Sequence, residues 1–179
     1  LKVVIFWGNS ILFAIVAGLR SGINMPDYTM YQSLYFDVID STSFYLIEPS
    51  FQLIALIANF INPKEPVALF IIYGLVSVLF KNFLILRFSI PLFLGQLVYL
   101  SNYFIIHELI QIRAGFATCF IALAIIKIAT NNKKTAAILI GLATLCHYSS
   151  FVFFILLLVN FRGVGARHVW GLLFLSYCL

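Results

Sequence analysis

Charge is what this chain has least of. Asp, Glu, Lys and Arg make up 9% of its 179 residues, and only six of them are acids. A soluble globular domain carries about a quarter charged residues and about half apolar ones. Here 63% are hydrophobic and the mean hydropathy is +1.08, which excludes a soluble domain and leaves an integral membrane protein. Cysteine is scarce as well: Cys119, Cys146 and Cys178 form an odd set in apolar stretches, without metal-type spacing. That excludes a disulfide framework and predicts buried, unpaired thiols. Missing too are a GxSxG elbow, an HExxH helix, a Walker A loop and a GxGxxG turn. No D-x-D pair occurs, and "DVID" has the wrong spacing for one, so neither metal nor cofactor is expected. The net charge of +5 is small and unevenly spread, so nucleic acid is not implied as a partner.

What is present is a series of apolar runs. Crossing the hydrocarbon core as a helix takes about 20 apolar residues. Five stretches approach that length: Lys2 to Leu19, Val67 to Leu86, Ser89 to Ile106, Ala114 to Thr130 and Thr135 to Phe161, with a sixth starting near Val169. The first lacks a small-residue cleavage site and reads as a retained span. Ser89 and Pro91 in "RFSIP" offer an N-cap and a first-turn proline. The run Phe51 to Ile61 is too short, since about eleven residues at 1.5 Å give roughly 16 Å. It predicts an interfacial or re-entrant helix with Gln52 and Asn59 on its wet side. "CHYSS" interrupts the last long run, which predicts either one tilted span or two short helices turning at His147 to Ser150. The expected fold class is all-α, a polytopic transmembrane helical protein. Residues 1–179 read as a single transmembrane domain, a fragment cut at both ends, because no Met opens it and it stops inside "LLFLSYCL".

Orientation follows from the excess of basic residues in cytoplasmic loops. With the first helix starting inside, the Phe51 helix not crossing and a turn at "HYSS", the inside holds Lys2, Lys81, Arg87, Lys127, Lys133, Lys134, Arg162 and Arg167. Arg20, Lys64 and Arg113 fall outside, together with all six acids: Asp27, Asp37, Asp40, Glu48, Glu65 and Glu108. Arg20 and Arg113 are therefore out of pattern, each at the end of a span, and such residues are functional candidates by default.

Around these two arginines the other polar residues gather. In "GLRSGINMPDYTMYQ", Asp27 begins a helix on which Tyr28, Tyr31 and Tyr35 share a face. The plain structural alternatives are a helix-start acid, an aromatic belt and a snorkelling arginine. In "YLIEPSFQL", Glu48 precedes Pro49 and a Ser50 cap and is held near the surface; its alternative is a solvated loop acid. "HELIQIRAGFATCF" puts Arg113 at a helix start beside Ala114, Gly115 and Ala117, where an arginine opposes the dipole unless an anion is present. His147 in "LCHYSS" reads equally as a structural or a functional histidine.

The order "GLRSG", "PDYTMY", "EPSFQLI", "QIRAGFA", "LCHYSS" resembles the EpsG family of bacterial membrane proteins, which is related to Wzy-type O-antigen and exopolysaccharide polymerases. The resemblance runs from about Ala17 to Phe151. Arg20 matches the arginine after the family's first motif helix, Asp27 and Tyr31 its D-x-x-x-Y, Glu48 its E-P/x-G/S-F/Y, Arg113 its I-R-x-x-x-A and His147 its H-x-S. Ser50 stands where the family often has Gly, and Ala114 where Gln is frequent.

The resemblance implies a GT-C-like glycosyltransferase in the bacterial cytoplasmic (inner) membrane with its active face outward. It would join undecaprenyl-pyrophosphate-linked oligosaccharide repeat units onto a growing polysaccharide chain, beside a flippase and a chain-length regulator. In that chemistry Arg20 and Arg113 bind the leaving pyrophosphate, because a planar guanidinium pairs with phosphate oxygens. Asp27 is the first choice of general base and His147 the second, with Glu48 orienting the acceptor or an arginine. Tyr28, Tyr31 and Tyr35 offer stacking faces for sugars. Two other classes are weighed against it. A flippase or transporter for the same lipid-linked oligosaccharide wants polar midplane residues and an internal repeat, for which Gln96, Ser101 and Asn102 are the candidates without a repeat. A non-catalytic scaffold of polysaccharide assembly tolerates alanine at every one of these charges.

Overall fold

The structure, a computed structural model, describes residues 1–20, 27–40, 47–88 and 91–158. Within them run α1 (Lys2–Gly18), α2 (Tyr28–Ile39), α3 (Pro49–Ile61), α4 (Val67–Phe88), α5 (Leu92–Val98), α6 (Ile112–Ala129) and α7 (Lys133–Cys146). A π-helical stretch, Tyr99–Ile110, prolongs α5, and a 3₁₀ helix, Tyr148–Leu158, follows α7. No strand occurs among the described residues, in keeping with the all-α reading. Ser89, Arg162, Arg167, Cys178 and the run from Val169 lie outside the described residues.

Among the described residues two helices are long and apolar enough to cross a membrane: α4, with 22 residues and a mean hydropathy of 2.2, and α6, with 18 residues and 1.9. At 1.5 Å per residue these reach about 33 Å and about 27 Å, against a hydrocarbon core of about 30 Å. α1 runs antiparallel to α4. Ala14, Ala17 and Gly18 of α1 are buried there, and a Cβ on Gly74 would stand 2.8 Å from the Gly18 amide nitrogen. Small residues are needed at that crossing because the two backbones almost touch.

Further down the same crossing a polar ladder replaces the small residues. Gln96 accepts from Asn9 Nδ2 at 3.3 Å and faces the Phe6 carbonyl, Ser10 Oγ and Asn82 Oδ1 at 3.3, 3.3 and 3.1 Å. Ser101 bonds back to Val98 O in its own helix. Gln96 thus joins three helices and does not line a passage. Interhelical hydrogen bonds inside a membrane contribute roughly 0.6 kcal/mol each, up to about 1.7. Gln96→Leu is expected to cost about 1 to 2 kcal/mol, read as a lower unfolding midpoint of the detergent-purified protein. An unchanged midpoint would show that the ladder adds nothing.

On α3 the two amides expected on its polar side are held by bonds to the protein. Gln52 donates to the Ile47 carbonyl at 2.6 Å, and Asn59 Oδ1 accepts from Tyr35 OH at 3.1 Å and from the Lys64 amide at 2.9 Å. Both side chains bond to the protein and are half-buried. The outward side is apolar, with Leu53 60% and Phe60 90% exposed, while Phe51, Ile54, Ala55 and Ala58 pack inward. Pro49 opens this helix after Glu48 at the N-cap position, so Ser50 sits inside the first turn and is not the cap.

The last long run breaks where "CHYSS" suggested. α7 ends at Cys146, His147 is extended (φ −157°, ψ 116°), and the chain resumes as a 3₁₀ helix. Lys133 Nζ, at the start of α7, donates to Leu157 O at the far end of that helix, 2.7 Å away. The pair is therefore a hairpin. Fourteen α-helical residues and eleven 3₁₀ residues both measure about 21 to 22 Å. Ala136, Ile140 and Ala143 of α7 bury against Ala117, Ile121, Ala124 and Ile128 of α6, with Phe153, Phe154 and Leu157 of the return arm alongside.

Candidate functional site

One end of the bundle collects the starts of α2, α3 and α6 and the break after α7. Tyr148 OH bonds Ile47 O at 3.3 Å, tying that break to the residue before Glu48. Four separate segments therefore bring their charged residues to one place.

Glu48 is its centre. The carboxylate is 4% exposed and is shared: Oε2 accepts from Arg113 Nη1, and Oε1 lies 3.2 Å from His147 Nδ1. Burial alone would raise this carboxyl. The bonds from His147 and its own amide, together with the Arg113 charge, outweigh burial and hold it below the ordinary carboxylate range. The anion that an arginine at a helix start requires is thus in part the protein's own. Arg113 Cζ also lies 5.3 Å from the Tyr31 ring centroid and 5.9 Å from that of Phe51, and its Nε is buried without a partner among the described residues.

A cavity of about 180 Å³ opens beside this pair, lined by Asp27, Met30, Tyr31, Gln111, Arg113, Ala114 and His147. It is smaller than the roughly 300 Å³ at which drug-sized pockets begin, so it suits one compact charged group and not a sugar chain. Asp27 occupies the N-cap position of α2 without a side-chain cap bond, leaving its carboxylate on the cavity wall. Ala114 supplies the small wall expected of it. Gly115 has another role: a Cβ there would collide with the His107 carbonyl, so α6 can begin only against that peptide.

Arg20 is a neighbour of this cavity and not part of its lining. Its guanidinium stacks 4.4 Å over Phe70, and Nη1 donates to the Glu108 carbonyl. Burial pulls it down to about 10, against the opposing fields of Tyr31, Glu108 and Tyr28, so it stays protonated at neutral pH. Tyr31 lies between the two arginines. Burial pushes its phenol up, and Arg113 and Arg20 both pull it back.

The other two tyrosines are placed differently. Tyr35 is fully buried with its hydroxyl on Asn59, and Tyr28 stacks on Phe70 with ring centroids 4.7 Å apart. Arg113, Glu48, His147, Asp27 and Tyr31 are brought together; Tyr28 and Tyr35 stand behind them as packing.

One assignment needs correcting. Lys81 and Glu108, sorted to opposite sides of the membrane from the sequence, form an ion pair inside the bundle, their side chains 11% and 2% exposed. Long side chains on facing helices reached toward each other, so neither reports on orientation. Tyr99 OH donates to the same Glu108 oxygen at 3.1 Å. The signal for this cluster was a lone lysine inside an otherwise apolar span.

No curated protein and no solved structure matches the chain. Among protein families, the EpsG family matches residues 4–179, which is nearly its whole length. The fit extends over every segment that contributes to the cavity, and the chain belongs to the EpsG family.

Proposed function

We propose that this protein is a GT-C-like polysaccharide polymerase that joins undecaprenyl-pyrophosphate-linked repeat units at the outer face of the cytoplasmic membrane. Membership of the EpsG family suggests a polymerase-like role in polysaccharide synthesis. The observation that carries the finer reading is the cavity where Arg113, His147 and Asp27 meet around one charged-group-sized space.

In the reaction an acceptor hydroxyl attacks the anomeric carbon, the new O–C bond forms as the C–O bond to pyrophosphate breaks, and the hydroxyl proton passes to a base. The lipid pyrophosphate leaves with the bonding pair. Arg113 meets that growing negative charge through fixed donors, and Arg20, outside the cavity lining, adds the field of a second cation. His147 is the base: Nδ1 faces the Glu48 carboxylate, so the ring proton stays on Nδ1 and Nε2 keeps its lone pair for the acceptor. Asp27, which the sequence puts first as base, also lines the cavity; on this reading it becomes the second choice and orients the acceptor otherwise. Partners on this reading are the lipid-linked oligosaccharide, the growing chain, a flippase and a chain-length regulator.

Purified full-length protein given lipid-pyrophosphate-linked repeat units should yield a ladder of longer products on a gel. Redistribution across a vesicle bilayer without elongation would mean a flippase, and neither result would mean a scaffold. Against the transporter stands Gln96, whose amide is used up between three helices.

A further inference from the structure

We infer that Lys81 and Glu108 are positioning residues that hold Arg20 and Arg113 in register for one anion, an inference that rests on the anion-site reading above. A buried ion pair is a poor way to gain stability, because the cost of desolvating two charges offsets their attraction and an apolar pair of similar volume is often as stable. An ionisable pair inside a membrane bundle therefore calls for a reason other than folding.

The geometry supplies one. Glu108 is held from three directions: Lys81 of α4 and Tyr99 of its own helix grip the carboxylate, and Arg20 at the end of α1 grips the carbonyl. Tyr99 and Glu108 lie nine residues apart, which is about two and a half turns of an α-helix and opposite faces. The π-helix between them bonds i to i+5 and takes in nearly one more residue per turn, so the two come round to the same side. The stretch closes with the Gln111 amide on Ile106 O at 2.7 Å, and Gly115 of α6 sits directly on the His107 carbonyl. Whatever fixes residues 107 and 108 thus fixes both the acceptor that Arg20 uses and the first turn of α6, which carries Arg113. Arg20 Nη2 is buried without a partner among the described residues, a second donor kept free on the arginine that this peptide anchors.

The test uses the full chain in detergent and farnesyl pyrophosphate as a short polyprenyl pyrophosphate probe, with binding and unfolding temperature measured in the same buffer. Lys81→Met combined with Glu108→Gln removes both charges and leaves an acceptor for Tyr99. It should keep the unfolding temperature within the scatter of replicates and weaken probe binding by about tenfold or more. Lys81→Arg, which keeps the pair, should bind as the parent does. Tyr99→Phe, which removes one grip and keeps the charges, should weaken binding by about threefold, and it decides the matter if the double variant does not fold. Parent-like binding in the double variant, or in Tyr99→Phe where the double variant fails to fold, overturns the positioning role alone. No binding by the parent protein overturns this inference together with the anion site.

Discussion

Arg113→Lys is expected to abolish chain elongation while the protein inserts and accumulates as before. The arginine is doing two things with one planar group: Nη1 engages Glu48, and the fork, seated near the Tyr31 and Phe51 rings, lines the cavity. Lysine keeps the charge, and so keeps a partner for the buried Glu48 carboxylate, which is why folding should survive. A single ammonium cannot face Glu48 and a phosphate oxygen in the fixed geometry of a fork. Losing one preorganised donor to a developing anion costs about 10²- to 10³-fold in rate. On a gel of lipid-linked products that loss leaves single repeat units and no ladder. Long polymer from the lysine variant would remove Arg113 from the leaving-group site.

Much of this site was legible because charge is so rare in the chain. In a bundle of apolar helices each ionisable residue has to be accounted for, and Arg20, Asp27, Glu48, Arg113 and His147 stood out one by one. The helices were legible for the same reason: apolar length fixes α1, α4 and α6 to within a few residues, of which α4 and α6 are long and apolar enough to cross a membrane, and the polar "CHYSS" marks the hairpin. What sequence could not give is pairing. Glu48 and Arg113 are 65 positions apart and Glu48 and His147 are 99, and nothing in a linear pattern says which acid takes which base. The Tyr99–Glu108 contact was hidden by a helix type whose turn differs from 3.6 residues, since an α-helical wheel sets those two residues opposite. Lys81 was misread because a long side chain moves its charge several ångströms from its Cα. The partners of Asn59 and Gln52 were hidden in the same way, since a linear pattern does not place Tyr35, Lys64 and Ile47 beside them.

Glu48→Gln should lower kcat by about 10²- to 10⁴-fold, the range that a positioned general base contributes. The change is one atom in shape and decisive in hydrogen bonding. A carboxylate accepts on both oxygens, so it can accept a hydrogen bond from Arg113 on one side and from His147 Nδ1 on the other. A glutamine has one oxygen to give. Arg113 can only donate, so the oxygen goes to Arg113 and the amide nitrogen turns to His147. Nδ1 must then accept, the ring proton moves to Nε2, and the nitrogen next to the acceptor hydroxyl no longer has a lone pair. Binding of the pyrophosphate group is less affected, because Arg113 keeps its place, so KM should move far less than kcat. The same kinetics decide between the two bases on the cavity wall. If His147 takes the proton, Asp27→Asn perturbs acceptor placement and Glu48→Gln stops turnover. If Asp27 takes it, Asp27→Asn is the dead variant, and Glu48→Gln turns over within about threefold of the parent.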